Sequence, residues 1–568
     1  MKQLKNLVCI LLISYSFITV EAQTIVINYN TTGLPDFDVK RGHILSDAIK
    51  TNYNSLLQYI DKSSALGMKL ILMAKDLNQF DPKWSTNPFG SYYLSYRSQN
   101  STLFTPNDPE EFSKGANGQI NIHINKQFLN LCRKAKDDNL QIVLQCSGVP
   151  VEGYDNGTVN HLFSLDATRS FHESARYYPL PAVQAYDSVA TVVANYAKNL
   201  RDSLQVSNMI YVGNQEPSHT PGYYAGKQTA QGTIDNIKQY IKVWKPLATQ
   251  LKEYQIPSAA LQLNSSKNDY VTGVKALYDE QVEFDFFSLQ NYKSENNVSV
   301  LSEAIAQLQA YHFLQPKKIL MNRYSFESGF ATDNSQQFNT SRGVCEFLDT
   351  ELNLSKYAQY VYGYCYFAGV QNQPMMDSVF VFLNKAPVKQ KNISGLPTGV
   401  SAMALADDKR LSVAIWNKGT ANQTLSVDIS SFPETFAQGT LTVYKGTGSS
   451  FSAYDQASLH SSEITNLTLA TNEFMLLTLI TAIPSAVAKN TLASTVTIYP
   501  NPCKEKATIG HTDQPISKYE LYDRIGRVLK TVNNTNEIDM RHLPTGGYLV
   551  KIYTADNVAH TCSLIKGD

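Results

Sequence analysis

The residues FDFFSLQNYKSENNVSVLSEAIAQLQAYHFLQPKKILMN (284–322) contain two β-rich runs with a helical pattern between them. The runs are FDFFSLQNY (284–292) and KKILMN (317–322), and apolar residues recur at helical spacing over 301–311. Short apolar runs on either side of an amphipathic segment are typical of two parallel strands joined by a crossover helix. This stretch therefore predicts a βαβ unit.

The same alternation extends over residues 24–370. Eight β-rich runs occur in this part of the chain: TIVINY (24–29), KLILMA (69–74), QIVLQC (141–146), MIYVGN (209–214), SAALQLN (258–264), FDFFSLQNY (284–292), KKILMN (317–322) and YVYGYCYF (360–367). Helical patterns lie between them at 48–65, 128–135, 183–204, 234–251, 271–277, 301–311 and 344–352. Eight strands separated by helices predict an α/β fold, the (β/α)8 TIM barrel. A doubly wound open sheet is the alternative.

The C-terminal part of the chain has closely spaced strands in place of helices. LSVDIS (425–430), TLTVYK (440–445) and EFMLLTLI (473–480) follow one another between turn-rich segments. This pattern predicts all-β sandwich structure. We expect the barrel at 23–392, an accessory β-sandwich at 393–483, a small-residue linker at 484–494 and a second small sandwich at 495–568.

Composition and charge exclude some classes of protein. Of the 568 residues, 43% are hydrophobic, and 49 Lys and Arg balance 49 Asp and Glu. This composition is globular, and without a basic block the chain has no electrostatic footprint for a nucleic acid. We therefore expect no nucleic-acid partner.

The N-terminus has the features of a secretory signal peptide. Lys2 and Lys5 precede an apolar run over 7–20, and Val20-Glu21-Ala22 offers a small-residue cleavage site. We expect residues 1–22 to be removed and the protein to be secreted or held at the cell surface. No apolar run reaches the roughly 20 residues of a membrane span, so we expect no transmembrane segment. The cysteines have neither CxxC pairs nor metal-type spacing, and we expect no metal site.

The last module carries four segments in a fixed order. They are TVTIYPNP (495–502), YELYDRIGRVL (519–529), NEIDMRHLPTGGYLVKI (536–552) and TCSLIK (561–566). Together they resemble the C-terminal sorting domain of the type IX secretion system of Bacteroidetes. The resemblance implies that the type IX secretion machinery is a partner and that the protein is exported across the outer membrane.

Two glutamates follow strands at positions suited to catalysis. Glu216 comes just after the fourth β-rich run, in YVGNQEPSHT, and Glu327 just after the seventh, in LMNRYSFESGF. Active sites of (β/α)8 barrels lie at the carboxyl ends of the strands. Hydrolysis of a glycosidic bond needs a carboxylic acid that protonates the leaving oxygen and a second carboxylate that acts as nucleophile or base. Glu216 and Glu327 are two side chains of the type that this reaction needs.

Residues 24–370 also resemble the large clan A of (β/α)8 glycoside hydrolases. In that clan the acid/base glutamate ends strand four in an Asn-Glu-Pro context, and the nucleophilic glutamate ends strand seven. The resemblance implies that Glu216 is the acid/base and Glu327 the nucleophile. The sequence departs from the clan at Gln215, where Asn is usual, and at Arg323 and Tyr324, which occupy the usual end of strand seven.

Five further residues are candidates for substrate binding. Asn291 and Tyr292 close the sixth run, where the clan often has His-x-Tyr, so Tyr292 is placed to hydrogen-bond the nucleophile. Asn214 is a candidate ligand of a sugar 2-hydroxyl, and His219 a candidate lining residue of a subsite. Trp84 lies in a long aromatic loop after the second run, and its ring is suited to stacking on a pyranose. A buried structural role is the alternative for each of them.

The chain has no G-x-S-x-G, P-loop, HExxH or Gly-rich dinucleotide motif. We therefore expect no cofactor, and we predict a secreted glycoside hydrolase, endo-acting, that cleaves a β-linked polysaccharide with retention of configuration. A non-catalytic surface glycan-binding protein on a degenerate barrel is the alternative.

Overall fold

A computed structural model of the full chain describes residues 22–45, 53–76, 112–147, 152–155, 158–161, 163–173, 176–213, 230–263, 267–291, 294–313, 317–324, 340–366, 373–458, 462–481, 496–510, 515–523, 528–555 and 559–567. The chain divides into two compact units, 1–483 and 484–568. Each unit is described by itself.

The helices are α1 (Tyr53–Ala65), α2 (Lys126–Asp137), α3 (Tyr186–Leu204), α4 (Ala230–Glu253), α5 (Lys267–Asp279), α6 (Ser294–Ala310), α7 (Ser341–Ser355), α8 (Pro374–Lys385) and α9 (Glu434–Ala437). The strands of the first unit are β1 (Gln23–Asn28), β2 (Lys40–Leu45), β3 (Leu70–Asp76), β4 (Phe112–Lys114), β5 (Ile120–Ile122), β6 (Gln141–Ser147), β7 (Glu152–Asp155), β8 (Thr158–His161), β9 (Leu165–Glu173), β10 (Arg176–Pro181), β11 (Ile210–Val212), β12 (Ser258–Leu263), β13 (Phe286–Asn291), β14 (Lys318–Tyr324), β15 (Val361–Tyr366), β16 (Asn392–Ser394), β17 (Val400–Ala406), β18 (Arg410–Asn417), β19 (Gln423–Asp428), β20 (Thr440–Thr447), β21 (Ser450–Ser458), β22 (Glu463–Leu469) and β23 (Glu473–Ile480).

Eight parallel strands close into a barrel. Around the barrel the order is β2, β3, β6, β11, β12, β13, β14 and β15, and β15 pairs with β2 to complete the ring. Helices follow most of the strands in the chain and pack outside them. The predicted (β/α)8 barrel is confirmed, and the closed ring rules out the open sheet.

The predicted first strand of the barrel is wrong. TIVINY forms β1, which pairs with β16 and β19 in a sheet of the sandwich, and the first barrel strand is β2. In β1, Ile25 and Ile27 are buried whereas Thr24 and Val26 are exposed, the alternation of a sheet with one covered face. Residues 41–45 of β2 are all buried, as a strand between barrel interior and helices requires.

Glycines allow the barrel to close at β2. A Cβ on Gly42 would lie 2.5 Å from the Leu70 carbonyl oxygen, and a Cβ on Gly363 would lie 2.4 Å from the Lys40 carbonyl oxygen. Neither distance is tolerable for carbon and oxygen. The strands on both sides of the closure therefore need residues without side chains.

A buried ion pair joins β2 to α7. Arg41 donates from Nε and Nη2 to Glu351 Oε2 at 3.0 and 2.8 Å, and Tyr364 of β15 donates its hydroxyl to Glu351 Oε1 at 2.7 Å. Burial has the largest single effect and lowers the pKa of Arg41, but the charge of Glu351 and the interactions with Glu351 and Tyr364 together outweigh burial and raise the pKa. The pair fixes α7 against the closure of the barrel.

His43 lies next to this pair on β2 and packs under α1. Ser63 donates to the Tyr59 carbonyl, so the Nδ1–H of His43 donates to Ser63 Oγ at 2.8 Å. The imidazole stacks on Tyr59 and meets the edge of Phe380. Burial lowers the pKa of His43 to about 3, and the Lys62 charge acts in the same direction. His43 is therefore neutral in the folded protein near pH 7.

The accessory sandwich consists of a sheet β16-β1-β19-β22 and a sheet β17-β18-β23-β20-β21. Their inner faces share one buried cluster, which includes Ile27, Val413, Leu425 and Leu477. The predicted sandwich is confirmed, with β1 as an N-terminal addition to it.

The second sheet of the sandwich packs its outer face on the barrel helices. The Trp416 indole donates to Asp349 Oδ1 at 2.6 Å, and Lys418 pairs with Asp349 and Glu346 of α7. Trp416 and Phe474 are fully buried in the same cluster as the barrel helices. Barrel and sandwich therefore form one packed body.

The long insertion after the third barrel strand (151–178) contains regular β-structure. It includes the antiparallel pair β7–β8 and most of the pair β9–β10.

In the helices that the structure describes, no segment is long and apolar enough to span a membrane.

The second unit is a small all-β module. Its strands are β24 (Thr497–Tyr499), β25 (Lys506–Gly510), β26 (Ile516–Tyr522), β27 (Val528–Asn533), β28 (Glu537–Asp539), β29 (Gly546–Thr554) and β30 (Ala559–Lys566). They form the sheets β24-β25-β28 and β27-β26-β29-β30 around a core that contains Tyr519, Leu521, Val550 and Ile552. Among the described cysteines, Cys345, Cys365, Cys503 and Cys562 are free thiols.

Candidate active site

The two predicted catalytic glutamates follow strands that end at the same rim of the barrel. The fourth strand, β11, ends at Val212, and Glu216 is four residues further along. The seventh strand, β14, ends at Tyr324, and Glu327 is three residues further along. Both glutamates lie outside the described residues. Because parallel strands of a closed barrel end together, the chain reaches both glutamates from one rim.

The predicted substrate-binding residues also lie almost entirely outside the described part of the chain. Asn214, His219, Tyr292 and Trp84 are not described. Asn291 is the last residue of β13, and its backbone stands beside Tyr324 of β14 in the strand register. The substrate-binding roles of all five residues stay predictions.

The strand before Glu216 is held on both sides. Val212 stands beside Gln145 of β6 and Ala259 of β12, and the Gly213 N–H donates to the Ala259 carbonyl at 3.2 Å. On the outer side, the Tyr211 ring stacks on Trp244 of α4 with ring centroids 6.1 Å apart. The backbone is thus fixed up to the third residue before Glu216.

The segment that contains Glu327 is anchored at both of its ends. Before it, β14 pairs with β13 and β15 through Tyr324. After it, Thr340 caps α7 by accepting the Gly343 N–H at 3.1 Å, and the Ser341 N–H donates to the Gly448 carbonyl in the β20–β21 turn at 2.7 Å. The barrel and the sandwich together set the span that residues 325–339 must bridge.

The barrel interior is packed below this rim. A buried apolar layer fills it, with Ile44, Leu72, Val143, Ile210, Val212, Ala259, Leu320 and Cys365. At the opposite end, Lys40 and Tyr362 donate to Gln141 Oε1, at 3.3 and 2.6 Å. The interior of the barrel is therefore a packed core rather than a pore.

Two polar side chains interrupt the apolar interior, and the sequence reasoning missed both. By strand register, Gln145 lies beside Val212 and Ser288 lies beside Leu320, and both are fully buried. Among the described residues, the Ser288 hydroxyl has no hydrogen-bond partner. A Gln and a Ser within apolar runs, QIVLQC and FFSLQN, are the sequence signal for such positions. They introduce polar groups beside the apolar layer of the barrel interior.

The described ranges contain no group of three or more His, Cys, Asp or Glu side chains that lie close enough together to hold a metal ion.

Comparisons with known proteins agree with the division into two units. Residues 497–566 match the family model described as "Secretion system C-terminal sorting domain". This match confirms the sorting domain predicted from the sequence. No curated protein matches the chain.

Solved structures of similar fold cover 81% of the chain. A glucosidase from Croceicoccus marinus is similar with a TM-score of 0.52 at 12% identity, covering 81% of this chain and 99% of its own. A GH39 β-xylosidase from Caulobacter crescentus has a TM-score of 0.53 at 10% identity over 81% and 100% of the two chains. The GH39 enzyme from Xanthomonas axonopodis pv. citri has a TM-score of 0.52 at 11% identity over 81% and 98%. At such identities the likeness establishes fold alone: the chain joins a barrel and sandwich of the type found in these enzymes to a secretion sorting domain.

Proposed function

We propose that the first unit is a glycoside hydrolase that cleaves a β-linked polysaccharide with retention of configuration. The observation that supports it most is that Glu216 and Glu327 follow, by four and three residues, the ends of strands four and seven of a closed barrel. Strands four and seven are separated by two strands, and in this proposal the two carboxylates face a glycosidic bond bound between them.

In this proposal Glu327 attacks the anomeric carbon and Glu216 protonates the leaving oxygen. Glu216, as a carboxylate, then takes a proton from the water that releases the sugar from Glu327. Tyr292 hydrogen-bonds Glu327, Asn214 binds the sugar 2-hydroxyl, and the remaining predicted residues (His219, Asn291 and Trp84) line subsites. Endo cleavage belongs to the same proposal.

We further propose that residues 1–22 direct export to the periplasm and that the type IX machinery recognises the sorting domain. The match of residues 497–566 supports the second step. The hydrolase then acts outside the cell or on its surface, where polymeric substrates are found.

The test is release of reducing ends from a panel of β-linked glucans, xylans, mannans and galactans. We expect wild-type protein to hydrolyse at least one polymer, and Glu216→Gln and Glu327→Gln to lose activity by at least about 100-fold on it. Glu280→Gln is the matched control. This exposed glutamate follows the C-terminus of α5, whereas the chain enters α5 at its N-terminus from the rim end of β12. Binding of a polymer without turnover would favour the glycan-binding alternative.

A further inference from the structure

The edge of the second sandwich sheet extends beyond the barrel. On the outer face of this sheet, Trp416, Phe474 and Leu476 are buried against the barrel helices. Tyr444 of β20 stands directly opposite Leu476 in the register, so it lies on the same face, yet it is 41% exposed. The barrel thus covers one part of this face and leaves Tyr444 of β20 open to solvent.

An aromatic stack connects the buried part of the face to the open part. The Tyr444 ring stacks on Phe451 with centroids 5.4 Å apart and planes at 15°, and Phe451 stacks on Phe474 at 5.9 Å and 18°. Phe474 lies flat over Gly446, where a Cβ would come within 2.0 Å of the ring. The glycine therefore permits the stack, and a buried ring holds the exposed Tyr444 ring in a fixed orientation.

Threonines stand next to Tyr444 on the open face. By register, Thr442 stands opposite Thr478, two residues from Tyr444 on the same face. The charged Lys445 of the same hairpin alternates to the other face, where it pairs with Glu473. A fixed aromatic ring beside hydroxyl groups suits a neutral sugar ring, which has an apolar face and hydroxyl edges.

The hairpin is fixed at the rim of the predicted active site. The Gly448 carbonyl in its turn accepts the N–H of Ser341, at the start of α7. Residues 325–339, which include Glu327, directly precede that helix. The β20–β21 turn is therefore bonded to the start of the helix that follows the Glu327 segment in the chain.

We propose that Tyr444, supported by Phe451, binds a neutral pyranose unit of the polysaccharide outside the cleft. This secondary binding surface rests on the proposed function, because the polymer is the same one that the hydrolase cleaves. The surface holds the chain of an extended substrate near the rim and has no part in bond cleavage.

Affinity electrophoresis in gels that contain a polymer of the panel tests the proposal. Glu327→Gln serves as the parent so that the polymer stays intact, and Tyr444→Ala and Tyr454→Ala are made in it. Tyr454 is the matched control, since it is also 41% exposed on the same hairpin, where its hydroxyl meets the Asn466 carbonyl of the neighbouring sheet. We expect Tyr444→Ala to weaken retardation about 2- to 12-fold and Tyr454→Ala to leave it unchanged. Tyr444→Phe should keep the binding, because the ring face is retained.

The remaining readouts separate this proposal from that of the active site. Tyr444→Ala in the wild-type background should keep kcat/KM on short aryl glycosides and lose activity on the polymer, with an unchanged near-ultraviolet circular dichroism spectrum. Equal retardation of Tyr444→Ala and its parent, or equal weakening by Tyr444→Ala and Tyr454→Ala, would overturn the binding surface. Absence of retardation of the parent on every neutral polymer would also overturn it. A wild-type protein that is retarded through Tyr444 but releases no reducing ends would overturn the hydrolase and leave the surface standing.

Discussion

The buried ion pair at the closure of the barrel gives the sharpest stability prediction. In Glu351→Gln, the amide keeps the shape of the side chain and an oxygen that can accept the Tyr364 hydroxyl. It removes the negative charge that faces Arg41 at 2.8 Å. The perturbation is therefore almost purely electrostatic.

Its magnitude follows from burial. The side chains of Arg41 and Glu351 are 5% and 0% exposed, so water cannot replace the lost charge. Removing one partner of a buried pair typically costs about 3–5 kcal/mol, because the other charge stays buried without compensation. We expect Glu351→Gln to lower the free energy of unfolding of the first unit by that amount. An exposed pair offers a contrast: Asp279→Asn, which breaks the contact of Asp279 with Lys275 on α5, should change little.

Urea unfolding at pH 7, followed by tryptophan fluorescence, is the assay. All three tryptophans of the chain lie in the first unit, so the signal is independent of the sorting domain. The triple variant Arg41→Met, Glu351→Met, Tyr364→Phe removes both charges and the hydroxyl, and it should lose less stability than Glu351→Gln alone. A loss below about 1 kcal/mol in Glu351→Gln, or a larger loss in the triple variant, would refute the reasoning.

Three further predictions follow from other parts of the molecule. His43 is neutral when folded with a pKa of about 3, whereas an unfolded histidine binds a proton near pH 6.5, so its contribution is present above pH 6.5 and is lost below it. From pH 7 to pH 5 this amounts to about 2 kcal/mol, and urea unfolding of His43→Asn should show a pH slope flatter by that amount; identical slopes would contradict it. Trp416→Phe removes the hydrogen bond to Asp349 between sandwich and barrel. It should lower the free energy of unfolding by at least about 1.5–3 kcal/mol in denaturant titrations read by circular dichroism, and an unchanged titration would argue against this interface. Deleting residues 495–568 should retain the protein in the periplasm of its native host in cell-fractionation blots, and secretion equal to that of the full chain would contradict a sorting role.

The βαβ periodicity was sufficient to predict the barrel, but it misplaced the first strand. TIVINY has a stronger β pattern than KRGHIL, which contains Lys, Arg, Gly and His. Arg41 and His43 of this run are acceptable inside the protein because Glu351 of α7, far along the chain, and Ser63 of α1 are brought to them. The alternation of exposed and buried positions in β1 was the available signal for a sandwich strand.

Sequence reasoning reached the candidate site only as far as its acidic residues. A glutamate after a strand is visible in the chain, and the closed ring shows that the strands before Glu216 and Glu327 end at the same rim. The inward positions of Gln145 and Ser288 depend on the register between neighbouring strands, which pairs residues far apart in the chain. The aromatic stack of Tyr444, Phe451 and Phe474 likewise depends on cross-strand pairing and on Gly446, and no local pattern records it.

Azide rescue tests the two-glutamate mechanism most directly. Glu216→Ala, given an activated aryl β-glycoside of the sugar that the panel identifies, should still form the glycosyl-enzyme, because such a leaving group needs no proton. Added azide should then attack from the side vacated by Glu216, restore turnover and yield a β-glycosyl azide, while Glu327→Ala should form none of this product. A Glu216→Ala variant that azide does not accelerate, or a Glu327→Ala variant that keeps near-wild-type hydrolysis, would contradict the assignment of acid/base and nucleophile.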